Sequence, residues 1–317
     1  GPAGESLTLR LASETASFIE QSADKPFFAF LSFYAVHVPI QTTRDKWFTF
    51  RDRAEGIAVD GQRFEFDRRA NVRVVQDCPI YAGMIETLDE AVGIVLDQLE
   101  ASGVADNTIV CFTSDNGGVS SGDAYSTSNL PLRGGKGMQW EGGTRVPAYI
   151  RVPGVPPRVE NAPLHGTDWM PTLLALTRTE AEIPQTIDGI DLSNVIAGEP
   201  APERALFFHY PHYGNQGGEP SSVIIEGSWK LILYHEDDRA ELYDLAADPG
   251  ETIDRATDEP ERAAAMRSSL TAWLDQTDAR FPAADPSFDP SRRAARLEHV
   301  RTSQRAKLEL RHAAFVM

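Results

Sequence analysis

The chain has few cysteines, no long apolar run and a deficit of positive charge. Its 317 residues include two cysteines, too few to hold a fold of this size with disulfides or to build a cysteine-rich zinc module. Its apolar stretches fall short of the roughly 20 residues that a membrane-spanning helix needs. The 30 Lys and Arg against 47 Asp and Glu give a net charge of −17, which argues against binding to nucleic-acid phosphates.

An initiator methionine and a basic, apolar leader are also absent from the start of the sequence. We therefore expect either a processed protein or a piece of a longer one. The remaining composition, 41% hydrophobic and 24% charged, is that of a globular protein. It suffices for one large domain, or for a domain with a small companion.

The first two thirds of the chain have the patterns of an α/β protein. Residues 7–19 and 80–99 carry the three- and four-residue apolar spacing of amphipathic helices. The continuous apolar runs 27–33 and 108–113 are typical of strands buried on both faces of a mainly parallel sheet, and 146–152 predicts a third strand. Helices between such strands predict a sheet flanked by helices.

Three further segments complete the outline. The polar residues 41–70 favour a surface excursion, and Thr167 or Asp168 should begin another helix. Residues 183–202 contain proline and glycine and mark the expected subdomain boundary.

The pattern changes beyond residue 200 to short strands joined by turns, followed by a helix near 260–274. We predict a small antiparallel α+β subdomain over 201–280 and a basic helical tail over 281–317. Residues 291–317 hold seven Lys and Arg against two Glu. A solvated helix is the favoured interpretation of this tail, with pairing to the acidic body or to a partner as the alternative.

A carboxylate and an amide stand side by side after the second apolar run, at Asp115 and Asn116. Their oxygens suit a hard cation such as Ca²⁺ or Mg²⁺. The sequence Asp-Asn-Gly is also good turn chemistry, so a simple strand-ending turn is an equal alternative.

Lys136 stands between glycines, and Glu141-Gly142-Gly143 follows it. Glycines on both sides let the backbone approach an anion while the ammonium contacts it. The spacing is wrong for a P-loop. The alternative is a solvated lysine on a flexible loop.

Histidines provide the remaining candidates. His37, just past the first apolar run, could protonate a leaving group, although a packed or half-exposed histidine is the commoner case. His209 and His212 lie in a polar, aromatic loop over residues 209–218, which suits either a carbohydrate face or a surface turn.

The order of these motifs resembles that of the type I sulfatases, members of the alkaline-phosphatase-like superfamily. The resemblance extends from about Ala12 to Leu274 and includes Asp188-Gly189-Ile190-Asp191-Leu192 and Gly227-Ser228-Trp229-Lys230-Leu231-Ile232. It implies an α/β fold with a mainly parallel sheet flanked by helices and a small C-terminal antiparallel subdomain. Residues 1–200 would then be the C-terminal portion of the catalytic domain.

The resemblance also implies roles for these residues. Asp115 and Asn116 would be two ligands of an active-site Ca²⁺, with Mg²⁺ as the weaker choice. Lys136 would contact the sulfate and the leaving oxygen, and His37 would approach from the opposite side as proton donor.

Other family positions have less defined roles. Arg133 and Glu141 are interpreted mainly as scaffolding, and Arg133 is also kept as a candidate substrate-binding residue with His209 and His212.

The family's nucleophile is missing from this sequence. Sulfatases convert a Cys or Ser in a Cys/Ser-x-Pro-x-Arg motif to formylglycine, but Cys78 has no Arg four residues on, and Cys111 is interpreted as a buried strand residue. The Asp-Asp pair and the Lys-x-His segment of the family are also absent. We expect a truncated chain, inactive alone, that lacks on the order of 150 N-terminal residues, about half a domain.

The implied function is hydrolysis of a sulfate ester, with a sulfated carbohydrate as the expected substrate and a periplasmic or secreted location. A phosphate or phosphonate ester hydrolase is the first alternative, although those relatives more often have His at the place of Asn116. A non-catalytic glycan-binding protein is the second.

Overall fold

A computed structural model describes residue 2 and residues 4–122, 126–180 and 182–317. Its helices before the C-terminal sheet are α1 (Leu7–Ser22), α2 (Arg44–Glu55), α3 (Pro79–Ala101), α4 (Glu141–Thr144), α5 (Trp169–Thr177) and α6 (Ser193–Ala197). The predicted helices at 7–19 and 80–99 are confirmed, and α1 and α2 both pack against α3. Among the described helices, none is long and apolar enough to cross a membrane.

The prediction of a buried strand over residues 27–33 is wrong. These residues have no regular secondary structure, and within the described residues they pair with no strand. Phe28 and Phe30 are 75% and 84% exposed. An apolar run is buried only where other elements cover it, and the described chain places none over these two rings.

The second predicted strand exists, as β3 (Val110–Thr113), but it is not buried on both faces. It pairs antiparallel with β4 (Ala148–Arg151), and Val110 lies opposite Arg151. Cys111 is exposed, which corrects its interpretation as a buried residue. Within the described ranges, β3 and β4 form a two-stranded sheet, and every strand pair in the three sheets is antiparallel.

Residues 41–70 are more ordered than their polarity suggests. They contain α2, whose cap Thr43 accepts a hydrogen bond from the backbone of Lys46, and the strand β1 (Phe64–Asp67). The Lys46 ammonium donates to Thr87 at 2.8 Å and to Glu90 at 2.6 Å on α3. The helix forms because these tertiary contacts hold its polar face, a signal that apolar periodicity does not carry.

The predicted antiparallel subdomain is confirmed as a four-stranded meander. Its strands, in spatial order, are β5 (Ala205–Tyr210), β6 (Ser221–Glu226), β7 (Trp229–Tyr234) and β8 (Ala240–Asp244). The helix α7 (Pro260–Gln276) packs on one face, where Leu231 and Leu242 meet Met266 and Leu270. On the other face Tyr234 and other core residues pack with Trp140, so the sheet supports the glycine-rich segment.

The tail is not a solvated helix. It forms α8 (Pro290–His299), a π-helical turn (Val300–Gln304) and α9 (Arg305–Val316). Leu308 packs against Phe64 of β1, which pairs with β2 (Ala70–Arg73), and the Trp47 indole donates to the Phe315 carbonyl at 2.7 Å. Although the tail is basic in composition, α9 has an apolar face that packs against the rest of the chain.

His312 of α9 is buried in a cluster of charged side chains. Arg73 donates to its Nδ1 at 2.9 Å, and its Nε2 lies 3.4 Å from Asp77 Oδ2. Burial is the main cause that lowers the pKa of His312, Arg73 and Arg63 also lower it, and Asp77 opposes them; together they bring the pKa from 6.5 to about 4. The ring is therefore neutral in the folded chain, with Nδ1 as an acceptor.

This histidine should make docking of the tail sensitive to acid. Between pH 6.5 and 4 the unfolded chain binds a proton at His312 that the folded chain does not bind, so stability falls as the pH is lowered through this window. His312→Gln can keep both contacts without titrating. Its unfolding free energy should therefore depend less on pH than that of the wild type, as measured by urea denaturation at several pH values. Parallel pH profiles for the two proteins would contradict this role.

Candidate functional site

Two loops meet at the carboxyl end of β3. The Asp-Asn loop (residues 114–118) follows β3 directly, and the lysine loop (residues 129–140) leads into α4. The backbone N–H of Lys136 donates to the carbonyl of Gly118 at 3.0 Å. This bond brings the predicted anion-binding lysine close to the predicted cation ligands.

Glycine is required where the Asp-Asn loop meets α4. The N–H of Gly117 donates to the carbonyl of Gly143 at 3.0 Å. A Cβ added to Gly117 would lie 1.8 Å from the Gly142 carbonyl oxygen, an impossible contact. The glycines of both segments thus allow two backbones to touch.

Asn129 joins the two loops, and the sequence analysis missed it. Its side-chain oxygen accepts from the Gly118 N–H at 3.1 Å, and its amide donates to the carbonyls of Gly118 and Gly134, each at 2.9 Å. An asparagine before Leu-Pro looks like an ordinary turn residue in the sequence, so nothing there marks it as a connector.

Asp115 is exposed and Asn116 is half-buried. The Asn116 amide donates to the Gly117 carbonyl at 2.9 Å, and the Ser114 hydroxyl donates to the Asn116 carbonyl at 3.0 Å. In the described part of the chain, the carboxylate of Asp115 and the side-chain oxygen of Asn116 have no hydrogen-bond donor. Both oxygens are therefore free to bind a cation.

The oxygens of Asp115 and Asn116 are of the type that binds calcium, but they are too few to complete its coordination. Ca²⁺ takes six to eight oxygen ligands. The described residues contain no group of three or more His, Cys, Asp or Glu side chains arranged to hold a metal. Asp115 and Asn116 can therefore supply one part of such a site, and the remaining ligands must come from elsewhere.

Lys136 is fixed by its backbone and not by its side chain. The residue is half-buried. Among the residues that the structure describes, its ammonium forms no ion pair or hydrogen bond. An ammonium without a carboxylate partner among these residues is available to an anionic ligand.

His37 lies on a separate loop. The backbone N–H of His37 donates to the Tyr34 carbonyl at 2.9 Å, and the ring Nδ1 lies 2.9 Å from the Val38 carbonyl oxygen. A carbonyl accepts only, so Nδ1 carries the hydrogen, and the exposed Nε2 is free. Within the described ranges no hydrogen bond joins His37 to Lys136 or Asp115, and its membership of the site stays a prediction.

Arg133 is engaged by the protein itself. Its guanidinium makes a two-pronged ion pair with Asp67, both contacts at 2.8 Å, donates to the Glu251 carbonyl at 3.0 Å and lies 3.9 Å from the Trp140 ring centre. Burial opposes its charge, but the Asp67 hydrogen bonds outweigh burial and raise the pKa of Arg133. These contacts agree with a scaffolding role, and substrate binding by Arg133 stays a prediction.

A buried charge cluster joins the C-terminal sheet to the start of α4. The ammonium of Lys230, on β7, lies 2.9 Å from Glu141 Oε1 and 2.9 Å from Glu251 Oε1, and the side chains are 0%, 6% and 0% exposed. The second Glu251 oxygen accepts from the Glu141 backbone at 2.6 Å. Burial raises the pKa of Glu251 despite the neighbouring lysine.

The sequence contained a signal for this cluster. Lys230 stands in an apolar strand, next to Trp229 and Leu231, where a lysine must be paired if it is buried. Its partners Glu141 and Glu251 are distant in sequence, so the pairing itself could not be read.

The two histidines of the predicted 209–218 loop differ in position and surroundings. His209 lies in the strand β5, which corrects its placement in a loop, whereas His212 lies in the loop after that strand. His209 Nε2 donates to the Arg280 carbonyl at 3.0 Å, and its Nδ1 accepts from the Ser222 hydroxyl at 2.7 Å. His212 is exposed, with its ring edge-on to Tyr210 at 5.4 Å. His212 thus has free nitrogens for a ligand, whereas both nitrogens of His209 are already bonded; for both residues, substrate binding stays a prediction.

The 209–218 loop also contacts the lysine loop. A Cβ on Gly218 would lie 1.9 Å from the Gly137 carbonyl oxygen. Ser121 donates through its hydroxyl to the Gln216 carbonyl. The loop that carries His212 is therefore packed directly beside Lys136.

Comparison with known proteins identifies two family models along the chain. The model described as Sulfatase matches residues 2–179. The model described as N-sulphoglucosamine sulphohydrolase, C-terminal, matches residues 135–279. Together they span both the loop region and the antiparallel sheet.

Individual relatives are longer than this chain. A sulfatase of Formosa agariphila is 33% identical across 86% of this chain and 51% of its own length. The steryl-sulfatase of Rattus norvegicus is 35% identical across 64% of this chain and 32% of its own length. The chain thus spans about half or less of these two relatives.

Solved structures show the same fold. A crystal structure of Ps i-CgsB superposes with a TM-score of 0.69 at 23% identity, covering 96% of this chain and 62% of that one. The PsFucS1 sulfatase from Pseudoalteromonas sp. gives 0.65 at 20% identity, covering 88% and 54%. The predicted alkaline-phosphatase-like fold class is confirmed. Because the Sulfatase model alone matches more than half of its residues, the chain belongs to the sulfatase family.

Proposed function

We propose that this chain provides the sulfate-binding half of a sulfuric ester hydrolase. The observation that carries the proposal is the hydrogen bond from the backbone N–H of Lys136 to the Gly118 carbonyl, which joins the lysine loop to the Asp-Asn loop. Among the described residues, the Lys136 ammonium has no ion pair, and the side-chain oxygens of Asp115 and Asn116 accept no hydrogen bond. A sulfate ester carries negative charge on the oxygens that surround sulfur. An ammonium and a cation site on the same side of the ester would stabilise that charge.

Asp115 and Asn116 would hold the calcium ion, which supplies positive charge to the sulfate oxygens when bound. Lys136 binds a sulfate oxygen and the oxygen that departs with the alcohol. Its backbone hydrogen bond fixes the main chain of Lys136, so the base of the side chain is in place before the ester arrives and the flexible ammonium is ordered on binding.

His37 is the proposed proton donor to the departing alcohol. Its Nδ1–H is held by the Val38 carbonyl, which fixes the plane of the ring. The free Nε2 can therefore carry the second proton and give it to the leaving oxygen. Its exposure in the described structure leaves that nitrogen accessible.

We propose that a formylglycine on a segment outside these 317 residues supplies the nucleophile, with the remaining calcium ligands on the same segment. Cys78 is buried at the start of α3 and Cys111 lies in β3, and neither belongs to the family's motif. The relatives' greater length supports this proposal. So do the exposed Phe28, Phe30 and Tyr149, 75%, 84% and 66% exposed, since an apolar surface of this kind needs a cover.

We propose a sulfated carbohydrate as the substrate. The exposed His212 and Tyr210 lie on the loop that packs against the lysine loop. Aromatic rings and imidazoles suit the mixed apolar and hydroxyl faces of a sugar. Sulfatases that act on polysaccharides are commonly exported, so we also propose that this enzyme is exported.

The test compares the 317-residue chain with the complete protein of which we propose it is a part. The complete protein should release sulfate from 4-nitrophenyl sulfate faster than phosphate from 4-nitrophenyl phosphate. The 317-residue chain should release neither and should not bind Ca²⁺ at micromolar concentration in a calorimetric titration, since it has two ligand residues of the several required.

Either of two results would contradict the proposal. Faster phosphate release by the complete protein would indicate the phosphate ester alternative. Micromolar calcium binding or sulfate release by the 317-residue chain would show that no further segment is needed.

A further inference from the structure

A small cavity lies between the 209–218 loop and the tail. Its volume is about 130 Å³, well above the roughly 30 Å³ that one water occupies in the liquid. Among the residues that the structure describes, its charged lining residues are Arg69, Arg293 and Arg296, and none of the described lining residues is acidic. In a chain with a net charge of −17, such a concentration of positive charge is unexpected.

Two of these arginines are unpaired. Arg293 forms an ion pair with Glu236, whereas Arg69 and Arg296 form none within the described part of the chain. The Arg69 guanidinium lies 4.1 Å from the centre of the Tyr213 ring, and its Nη1 is buried without a hydrogen bond. Within the described residues, the buried Nη1 of Arg69 and the exposed guanidinium of Arg296 therefore remain available to an anion.

Asn71 adds an acceptor to the same cavity. The residue is 2% exposed, and its amide donates to the Val300 carbonyl at 2.6 Å. Its Oδ1 is buried and has no hydrogen-bond donor. A buried oxygen of this kind is costly unless a ligand or a water donates to it. Anion-binding donors beside a lone acceptor match a sugar that carries both a charged substituent and a hydroxyl.

The larger cavity of the subdomain lacks these features. Its volume is about 410 Å³, and it is lined by both arginines and acids. Arg68 pairs with Glu219, and Arg239 pairs with Asp237. Its charges are already neutralised within the protein, so it offers little to an anion.

The smaller cavity is one loop away from Lys136. Gly214 and Gly217 line it. The same loop packs on the lysine loop, since a Cβ on Gly217 would lie 2.9 Å from the Met138 side chain and one on Gly214 would lie 3.1 Å from the Gly137 carbonyl. A saccharide that reaches across this loop could occupy both places.

We propose that this cavity is an accessory subsite for an anionic substituent, a second sulfate or a uronate carboxylate, on the saccharide whose sulfate ester binds at Lys136. The inference rests on the proposed function. The cavity admits a charged substituent and its nearest hydroxyl, not a polymer, so the sugar chain runs over the loop. The subsite would select saccharides with more than one negative charge.

The test is a calorimetric titration of the protein with inorganic sulfate, sodium glucuronate and, as the uncharged control, glucose. It is made on Lys136→Ala, which removes the other proposed anion contact. At least one of the two anions should bind, glucose should not, and which anion binds identifies the source of the charge. Arg69→Gln and Arg296→Gln should each weaken anion binding by roughly tenfold, as expected for a lost charged hydrogen bond.

Arg292→Gln is the matched control, because Arg292 lies on α8 beside Arg293 but is 87% exposed and does not line the cavity. The anion affinity of this control variant should equal that of Lys136→Ala alone. Arg296 is exposed, so its variant keeps the test valid if Arg69→Gln does not fold.

Absence of anion binding, or an equal loss in Arg292→Gln, would overturn the subsite. The readout is binding and does not depend on turnover. Failure of the complete protein to release sulfate would therefore contradict the proposed function separately from the subsite.

Discussion

Lys230→Met should lower the free energy of unfolding by about 3–5 kcal/mol, the usual cost of removing one partner from a buried ion pair. Lys230 is fully buried between Glu141 and Glu251, and its loss leaves two buried carboxylates without a cation. Urea denaturation followed by circular dichroism measures the change. Lys25→Met is the control, because Lys25 is exposed and should change stability by less than roughly 0.5 kcal/mol.

The loss in this variant should depend on pH in a defined direction. Burial already raises the pKa of Glu251 in the wild type, and removal of Lys230 raises it further. A carboxyl group whose pKa is higher in the folded state binds a proton on folding, so it favours the folded state as the pH falls. The deficit of Lys230→Met should therefore be smaller at pH 5 than at pH 8.

A second substitution separates charge from packing. Adding Glu251→Gln to Lys230→Met removes one of the two uncompensated charges and should recover part of the lost stability. A stability for Lys230→Met within about 1 kcal/mol of the wild type would contradict a buried ion cluster, because burial of an unpaired charge cannot be so inexpensive.

Lys136→Ala should lower kcat for sulfate release by the complete protein by roughly 10²–10³, the usual effect of losing one preorganised charge-stabilising donor. The hydrogen bond that places this residue comes from its backbone N–H, so alanine keeps it. The fold should therefore remain intact, and the unfolding midpoint should stay unchanged.

The control for this substitution is Lys307→Ala, an exposed lysine of α9, which should leave kcat unchanged. Initial rates with 4-nitrophenyl sulfate measure both variants. A kcat for Lys136→Ala within threefold of the wild type would remove Lys136 from the reaction.

Local patterns predicted the C-terminal sheet and the long helices well. The strands around Ile224, Leu231 and Leu242 are short apolar runs joined by short turns, so their partners are neighbours in sequence. Helices α1 and α3 are marked by their own periodicity. In each case the information that defines the element lies within the element or next to it.

The run 27–33 was misjudged because an apolar sequence indicates a preference for burial, not the presence of a cover. Phe28 and Phe30 remain exposed for lack of one. The docked tail was missed for the opposite reason. Leu308 and His312 are two buried positions in a basic stretch, and their partners Phe64 and Asp77 are more than two hundred residues away.

The residues of the candidate site also fall into those that the sequence predicts and those that it does not. Asp115, Asn116 and Lys136 follow from short motifs, and the structure brings their loops together. Asn129 and the cluster around Lys230 depend on contacts between distant segments, which a single sequence does not display. Motif reading therefore found the groups with free polar atoms and missed those that hold them in place.

The interlocked backbones of the Asp-Asn loop and the lysine loop also determine where new specificity can evolve. Gly117 and Gly142 touch too closely to accept a side chain, and Asn129 uses its whole amide to join the loops. We expect substitutions here to disrupt the contact between the two loops. His212 of the 209–218 loop and Arg296 of the tail are exposed, so substitutions there should leave this contact intact, and we expect changes of specificity to arise there.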